Sequence, residues 1–275
     1  MPELPELEVL QRRLLCRIKG KEVEQMCILK PYVLKNYFTR KLAGEKIENI
    51  KRRGKYLVIE LTEHKIILHL MLRGSIRFLE VPEKIRGSAA LVLKFTDGSL
   101  LEVSERGHKK RVSVHILAGN ESTARLQSLG AEPLASDFTE GLFKELLLKS
   151  RQHLKTFLRN QSLIAGIGNA YADEILWHAR LSPFKNTVHL DDREAKRLYC
   201  AVREVLKRAI REIEKRGGSE KRDFLKIHGR KGFACPRCGE DIQTISYSDS
   251  ETYYCAKCQT GGRKLKDRRL SKFYR

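Results

Sequence analysis

The first amphipathic segment of the chain lies at residues 6–19. Its apolar residues recur at the three- and four-residue spacing of one helix face: Leu7, Leu10, Leu14 and Ile18. Pro5 stands near the start of this segment and Gly20 just past its end. Since proline is favoured in the first turn of a helix and glycine just beyond its last turn, the pattern predicts a helix of about four turns.

Short apolar segments with strand character follow the helix. They occupy residues 56–61, 65–70, 75–80, 90–95 and 99–104. Asp97-Gly98 separates the last two segments, and glycine tolerates the positive φ that tight hairpin turns require. The N-terminal part of the chain is therefore predicted to form a β-sandwich or barrel preceded by a helix.

From about Ser122 the apolar positions follow a helical period, ending with a long segment near 191–215. Gly217-Gly218-Ser219 then interrupts the pattern ahead of a cysteine-bounded module. We predict an α+β multidomain chain in four parts. These are a β-sandwich domain at 1–118, a helical domain at 122–220, a four-cysteine zinc-ribbon hairpin at 226–260 and a basic tail at 261–275.

The charge of the chain points to a polyanionic partner. Lysine and arginine total 55 against 34 acidic residues, a net charge of +21, and many of them cluster in KRRGK, GHKKR, HGRKG and GGRKLKDRR. Nucleic acid is the first candidate, and a merely solubilising cationic surface is the alternative. The chain has no apolar run long enough to span a membrane and no signal-peptide pattern, so we expect a cytoplasmic, nucleoid-associated protein.

The cysteines near the C-terminus have the spacing of a metal site. Cys235, Cys238, Cys255 and Cys258 form the pattern C-x2-C-x16-C-x2-C. The residues between the two pairs can form a hairpin that brings all four thiolates to one zinc ion. Two disulfides are the alternative, which a reducing compartment disfavours. Since four thiolates leave no open coordination position, we expect one structural zinc ion, and the chemistry must lie elsewhere.

The N-terminus carries a candidate nucleophile. Removal of Met1 would free the secondary amine of Pro2, and an α-amino group is partly unprotonated at neutral pH and can attack an aldehyde-like carbon. Glu3 and Glu6 lie beside it and can exchange protons. The alternative is an ordinary helix start, in which proline and an acid favour the first turn.

Five motifs in order carry a resemblance to a known family. They are MPELPELE at the start, RRGKYL at 52–57, AGIGNAYADEILW at 165–177, HGRKG at 228–232 and the closing CPRCG and YYCAKCQ. Together they resemble the formamidopyrimidine-DNA glycosylase and endonuclease VIII family over nearly the whole chain. The resemblance implies that Pro2 is the Schiff-base nucleophile, that Glu3 moves protons at the sugar ring and that Glu6 supports them. It also implies that Lys55 protonates the leaving group or contacts a phosphate, whereas a solvated strand-edge lysine is the alternative.

The resemblance also implies DNA contacts in the helical domain. Asn169 follows a glycine turn that resembles the helix-two-turn-helix motif of the family, where backbone N–H groups suit a phosphate. Lys155 matches a phosphate-contacting lysine. Glu174 matches an acid that faces the active site, with a helix-surface carboxylate as the alternative. Arg106, just before GHKKR, Lys109 within it and Arg230 of HGRKG are further candidate contacts.

The sequence departs from the family pattern at the residues that enter the DNA. In the formamidopyrimidine branch, three side chains fill the space that the damaged nucleotide leaves in the base stack. They are a methionine and, from a D-x-R-x-F-G loop, an arginine and a phenylalanine. Here Leu72 stands at the methionine position, and Gly107 and Lys109 stand where the arginine and phenylalanine would be. Ser250 stands where the family has an arginine, five residues before the third zinc cysteine, so it is open whether δ-elimination follows. The tail after Gln259 is longer than the family pattern.

These features together predict a bifunctional DNA glycosylase and abasic-site lyase of base excision repair. We expect it to act on damaged double-stranded DNA and to release oxidised or otherwise damaged bases. We also expect it to be a monomer. The resemblance implies extrusion of the damaged nucleotide, attack by Pro2 at C1′ and β-elimination. Two alternatives stay open: a non-catalytic protein of the same fold that binds damaged DNA, and an RNA-binding zinc ribbon that would leave MPELPELE unexplained.

Overall fold

The computed structural model describes residues 1–38, 41–81, 84–107, 112–218, 221–247 and 250–265. The chain separates into two compact units, Met1–Ser128 and Leu129–Arg275. Among the described residues, no helix has both the length and the apolar character that crossing a membrane would demand. The boundaries of the four predicted parts remain predictions.

The N-terminal unit is a β-sandwich with a helix at its start, as predicted. Its helix α1 is Leu4–Ile18. The strands are β1 Val23–Ile28, β2 Ile47–Arg53, β3 Tyr56–Leu61, β4 His64–His69, β5 Gly74–Leu79, β6 Ala89–Phe95, β7 Leu100–Glu105 and β8 Ser113–Ala118. One four-stranded antiparallel sheet has the order β1-β6-β7-β5 and the other has the order β2-β3-β4-β8.

One apolar core joins α1 to both sheets. Leu7, Leu14 and Ile18 of the helix are 3% exposed or less, and they belong to the same cluster as Leu57 of β3 and Leu101 of β7. The helix therefore buries the face that its spacing predicted, which fixes residues 2–6 at one end of the sandwich core. The hairpin at Asp97-Gly98 is confirmed, with Gly98 at φ 83° between β6 and β7.

Three strands were not predicted from the sequence: β1, β2 and β8. All three lie at sheet edges, because β1 ends one sheet order and β2 and β8 end the other. An edge strand pairs on one side only and buries fewer of its side chains, so its sequence carries a weaker alternation of apolar and polar residues. Strand β2, IENIKRR, is the clearest case.

The C-terminal unit is helical and ends in a hairpin. The short helix α2, Ala124–Gln127, still belongs to the N-terminal unit. The helices of the C-terminal unit are α3 Glu140–Leu148, α4 Leu154–Arg159, α5 Asn169–His178, α6 Asp192–Lys215 and α7 Ala256–Thr260. Strands β9 Ile242–Tyr247 and β10 Ser250–Cys255 pair in antiparallel fashion. The predicted helical segments and the finger hairpin are thus confirmed, and a Thr139 cap on α3 and an Asp191 cap on α6 explain where those helices begin.

Candidate functional site

The N-terminus of α1 gathers the candidate catalytic acids. Pro2 is buried, and Glu3 and Glu6 are 3% and 6% exposed. The backbone N–H of Glu3 donates to Oε2 of Glu6 at 2.9 Å, and the N–H of Leu7 donates to the Glu3 carbonyl at 3.1 Å. Glu6 therefore stabilises the start of the helix, as the alternative of an ordinary helix start predicted. The same hydrogen bond fixes the backbone at Glu3, the residue that follows Pro2.

Lys55 lies at the turn between β2 and β3. Gly54 adopts a φ of 56°, which lets the chain reverse before Tyr56 begins β3. The Lys55 side chain is then largely enclosed, with the residue only 9% exposed. The alternative of a solvated strand-edge lysine is therefore wrong, since a buried ammonium is costly without a role or a partner.

His69, at the end of β4, lies near Lys55 and was not singled out by the sequence analysis. Its Nδ1 accepts a hydrogen bond from the Met71 N–H at 3.0 Å, and its ring meets the Tyr56 ring edge-on at 4.5 Å. Burial, with the nearby charges of Lys55 and Arg125, lowers the pKa of His69 to about 4. The imidazole is therefore neutral at pH 7, with its proton on Nε2 and a lysine charge close by.

The candidate DNA-inserting residues lie in loops of the same unit. Leu72 is 52% exposed in the turn after β4, and Arg106 is exposed just after β7. Met71 has a φ of 52°, an uncommon value for a residue with a side chain, so this turn is held in a strained shape. Lys109 lies outside the described residues, as do the side chain of Ser250 and residues 266–275 of the tail.

Lys155 of α4 is engaged inside the C-terminal unit. The residue is 5% exposed, and its Nζ lies 2.6 Å from Oδ1 of Asp173. It also donates at 2.9 Å to both the Glu251 carbonyl and Oγ1 of Thr252 in β10. A direct phosphate contact by this ammonium stays a prediction, and it would require some of these bonds to break.

Asp173 of α5 is the centre of this network. Its side chain is fully buried, and its second oxygen, Oδ2, lies 2.8 Å from Nδ1 of His228. Because a carboxylate only accepts, the imidazole donates from Nδ1. Asp173 thus joins α4, α5 and the HGRKG segment, a role that the sequence analysis did not assign.

Glu174, the next residue of α5, is 1% exposed. Its Oε1 accepts hydrogen bonds from the backbone N–H groups of Lys226, Ile227 and His228 at 2.8–3.0 Å. The helix-surface alternative for Glu174 is therefore wrong. The carboxylate instead shapes the backbone that leads into HGRKG.

Asn169 and Arg230 also bind backbone within this unit. Nδ2 of the half-buried Asn169 donates to the Glu251 carbonyl at 2.8 Å, the same carbonyl that Lys155 contacts. Nη2 of Arg230 donates to the Asp223 carbonyl at 2.5 Å. Lys155 and Asn169 therefore hold β10 from two helices.

The four predicted zinc ligands converge. The Sγ atoms of Cys235, Cys238, Cys255 and Cys258 all lie within 4.8 Å of one another. Tetrahedral zinc with bonds of about 2.3 Å places its sulfur ligands roughly 3.8 Å apart. The cluster therefore fits one structural zinc ion with no open position, and the prediction of a zinc cofactor is confirmed.

Helix α5 supports this metal centre. Nε1 of Trp177 donates to Sγ of Cys235 at 3.3 Å, and Arg237 stacks over the indole at 4.2 Å. Burial acts to raise the pKa of the Cys235 thiol, but hydrogen bonds from Trp177 and the Arg237 and Cys238 backbone bring it down to about 7. These donors favour the thiolate that zinc requires.

Comparison with known proteins matches each part of the chain. The N-terminal domain of formamidopyrimidine-DNA glycosylase matches residues 1–108, its H2TH domain matches 129–221, and the zinc finger found in FPG and IleRS matches 232–261. The formamidopyrimidine-DNA glycosylase of Bacillus subtilis is 32% identical over 94% of this chain and 99% of its own length. That of Lactococcus lactis subsp. lactis is 34% identical over the same shares.

Solved structures of the same family have a similar fold over nearly the whole chain. The Lactococcus lactis Fpg in complex with DNA containing an abasic site has a TM-score of 0.85 and 32% identity, covering 94% of this chain and 99% of that one. MutM in complex with DNA containing carbocyclic 8-oxo-G has a TM-score of 0.85 and 33% identity, covering 94% and 100%. The resemblance read from the five motifs is confirmed, and the chain belongs to the formamidopyrimidine-DNA glycosylase family.

Proposed function

We propose that this protein excises damaged bases from double-stranded DNA and cleaves the abasic site, with the nitrogen of Pro2 as nucleophile once Met1 is removed. Family membership supports the class of activity, a DNA glycosylase and abasic-site lyase of base excision repair. The single observation that carries the residue-level proposal is the burial of Pro2 beside Glu3 and Glu6 at the N-terminus of α1.

The proposed reaction begins with attack of the Pro2 nitrogen on C1′. A C–N bond forms, the glycosidic bond breaks, and the departing base takes a proton that Lys55 supplies. The Glu3 carboxylate takes the proton of the Pro2 nitrogen and passes it to O4′ as the sugar ring opens, which leaves an iminium between Pro2 and C1′. The positive iminium acidifies the C2′ proton. Water takes this proton, which expels the 3′ phosphate by β-elimination, and hydrolysis of the resulting iminium regenerates Pro2.

The enclosed position of these groups sets a condition on the substrate. A nucleophile fixed at a helix start cannot reach C1′ within an intact base stack, so the damaged nucleotide must leave the duplex. We propose that the exposed Leu72 fills part of the space that it vacates, with Arg106 and Lys109 nearby in sequence to neutralise phosphates.

The C-terminal unit would supply contacts to the sugar-phosphate backbone of the DNA. Arg230, in the HGRKG segment, is the candidate phosphate ligand, and Lys155, Asn169 and Glu174 support that segment and β10 through the bonds described above. We further propose a monomer in the cytoplasm, associated with the nucleoid. Sedimentation of the free protein and of its complex with one lesion duplex tests the monomer.

Borohydride trapping on an abasic duplex tests the proposal. The reagent reduces an iminium to a stable amine, so the wild type should form a covalent adduct. A form carrying one extra residue before Pro2 converts the amine to an amide and should form no adduct, and the same extension at the C-terminus is the control. Pro2→Gly keeps an amine without the ring and should trap less.

The rival is a protein of this fold that binds damaged DNA without chemistry. No adduct with the wild type, together with tight binding to the same duplex, would support that rival and overturn the proposal. An adduct that survives the N-terminal extension would show that another amine is the nucleophile.

A further inference from the structure

Helix α1 and strand β2 are joined by a largely buried ion pair. Nε of Arg52 in β2 donates to Oε2 of Glu8 in the second turn of α1 at 2.7 Å, and the Arg52 side chain is 8% exposed. Helix α1 begins two residues after Pro2, and β2 ends two residues before Lys55. The pair therefore joins the element that carries the proposed nucleophile to the strand that leads to the proposed proton donor.

The same guanidinium also binds the turn that contains Lys55. Nη1 of Arg52 donates to the Gly54 carbonyl at 3.1 Å. Gly54 has the positive φ that reverses the chain, and Lys55 is the next residue. Because a guanidinium is planar and its donors are fixed relative to one another, one bond to α1 and one bond to the turn set the spacing between the two.

Two further bonds hold the helix side of this contact. Nη2 of Arg12 donates to Oε1 of Glu8 at 3.1 Å, and Nε2 of Gln11 donates to the Ile50 carbonyl of β2 at 2.5 Å. Arg12 thus orients the Glu8 carboxylate, and Gln11 fixes the helix on the strand. The connection onward from this contact to the turn is the one that Arg52 makes.

The proposed base release makes this spacing matter. The bond from the Pro2 nitrogen to C1′ forms while the departing base takes its proton from Lys55, so both groups must meet one nucleotide at the same time. A displacement of about 1 Å in such an arrangement can slow a reaction roughly 100-fold. A preformed abasic site has no base to release, so attack by Pro2 on that site needs no proton from Lys55.

We infer that Arg52 is a positioning residue that holds Lys55 in register with the Pro2 nitrogen for base release, an inference that rests on the proposed function. The guanidinium acts through the Glu8 carboxylate and the Gly54 carbonyl. A side chain that only stabilised the fold would, when removed, slow base release and attack on an abasic site together. Loss of this positioning should instead slow base release selectively.

Single-turnover rates on two duplexes test the inference. One duplex holds an imidazole-ring-opened 7-methylguanine, a formamidopyrimidine base, and reports base release. The other holds a preformed abasic site and reports the iminium by borohydride trapping. Arg52→Met should slow base release about 100-fold and leave the trapping rate close to that of the wild type. Lys51→Met is the matched control, since it removes a largely exposed pair with Glu60 from the same strand and should change neither rate.

A double variant shows whether Arg52 acts through Lys55. In a Lys55→Met background, Arg52→Met should slow base release little further, because the group that it positions is already absent. Losses that multiply in the double variant would overturn the inference. Equal slowing of base release and trapping in the single Arg52→Met variant would overturn it as well.

A second variant covers the case in which Arg52→Met does not fold. Arg52→Lys keeps a positive charge for Glu8, but its single ammonium lacks the fork that spans the carboxylate and the Gly54 carbonyl. It should keep the wild-type melting temperature and trapping rate and slow base release less than Arg52→Met does. Base release at the wild-type rate in Arg52→Lys would overturn the inference alone, whereas a wild type that forms no adduct would overturn the proposed function and this inference with it.

Discussion

The two units use their polar residues in different ways. In the N-terminal unit, the residues singled out from sequence lie at the ends of elements: Pro2 and Glu3 at the start of α1, Lys55 in a turn and Leu72 at an exposed tip. In the C-terminal unit, Lys155 and Glu174 bind groups of their own unit and are 5% and 1% exposed.

A residue of a sequence motif can therefore act in one of two ways: by contacting the substrate or by stabilising the fold around the site. The proposed catalytic residues Glu3 and Lys55 are buried too, at 3% and 9% exposed, so they differ from Lys155 and Glu174 in lying at the ends of elements, and only Leu72 of this group has a side chain open to the exterior. A charge enclosed on all sides stabilises the fold only through its partners, because removing it from water is costly. Asp173 and its neighbours therefore hold the HGRKG segment and β10 in place.

Removing zinc should have the largest effect and should affect the C-terminal unit alone. Structural zinc contributes on the order of 10–16 kcal/mol in isolated fingers. Trp177 is the single tryptophan of the chain and donates to Cys235, so chelation should change its fluorescence and abolish DNA binding. The melting of the β-sandwich should persist. Cys200→Ser, outside the cluster, is the control and should retain zinc; unchanged fluorescence after chelation would contradict this account.

Loss of Asp173 should be the next largest effect. Asp173→Ala leaves the buried Lys155 without its carboxylate, which should lower the free energy of unfolding by about 3–5 kcal/mol in denaturant titration. Lys155→Met in the same background should restore part of that loss. Asp192→Ala removes an exposed ion pair with Lys144 and is the control, expected to change little. Equal losses for the two aspartates would mean that the network does not stabilise this unit.

The pH dependence of His69 is the smallest of these effects. Its pKa is lowered to about 4, so the unfolded chain binds a proton near pH 6.5 that the folded chain takes up only near pH 4. Stability from this group is present above pH 6.5 and is lost as the pH falls, by about 3 kcal/mol in total. His69→Asn keeps an acceptor for Met71 and cannot ionise. Between pH 6.5 and 4, its unfolding free energy should fall less than that of the wild type; parallel curves would contradict the assignment.

Sequence reasoning found what depends on local pattern. The helix α1, five strands and the zinc ligands follow from spacing, because period and turn chemistry are local properties. The network around Asp173 joins Lys155 of α4 to Glu251 and Thr252 of β10, which are far apart in sequence. Packing decides which of these side chains meet, so no local pattern shows it.

One signal for this network was nevertheless present. Asp173 and Glu174 stand side by side in NAYADEILW, a helix segment that is otherwise largely apolar and buried on every side. An acid in such a helix has to be paired or hydrogen-bonded, since an unpaired buried charge is not tolerated. The sequence could therefore have indicated partners for both acids, though not their identity.

The nitrogen of Pro2 is the atom that we propose forms the bond to DNA. The most direct measurement is mass spectrometry of the borohydride-reduced adduct after proteolysis and nuclease digestion. We expect a sugar remnant on the N-terminal peptide that begins with Pro2, attached at its nitrogen. A remnant on Lys55, or on any other lysine, would contradict it.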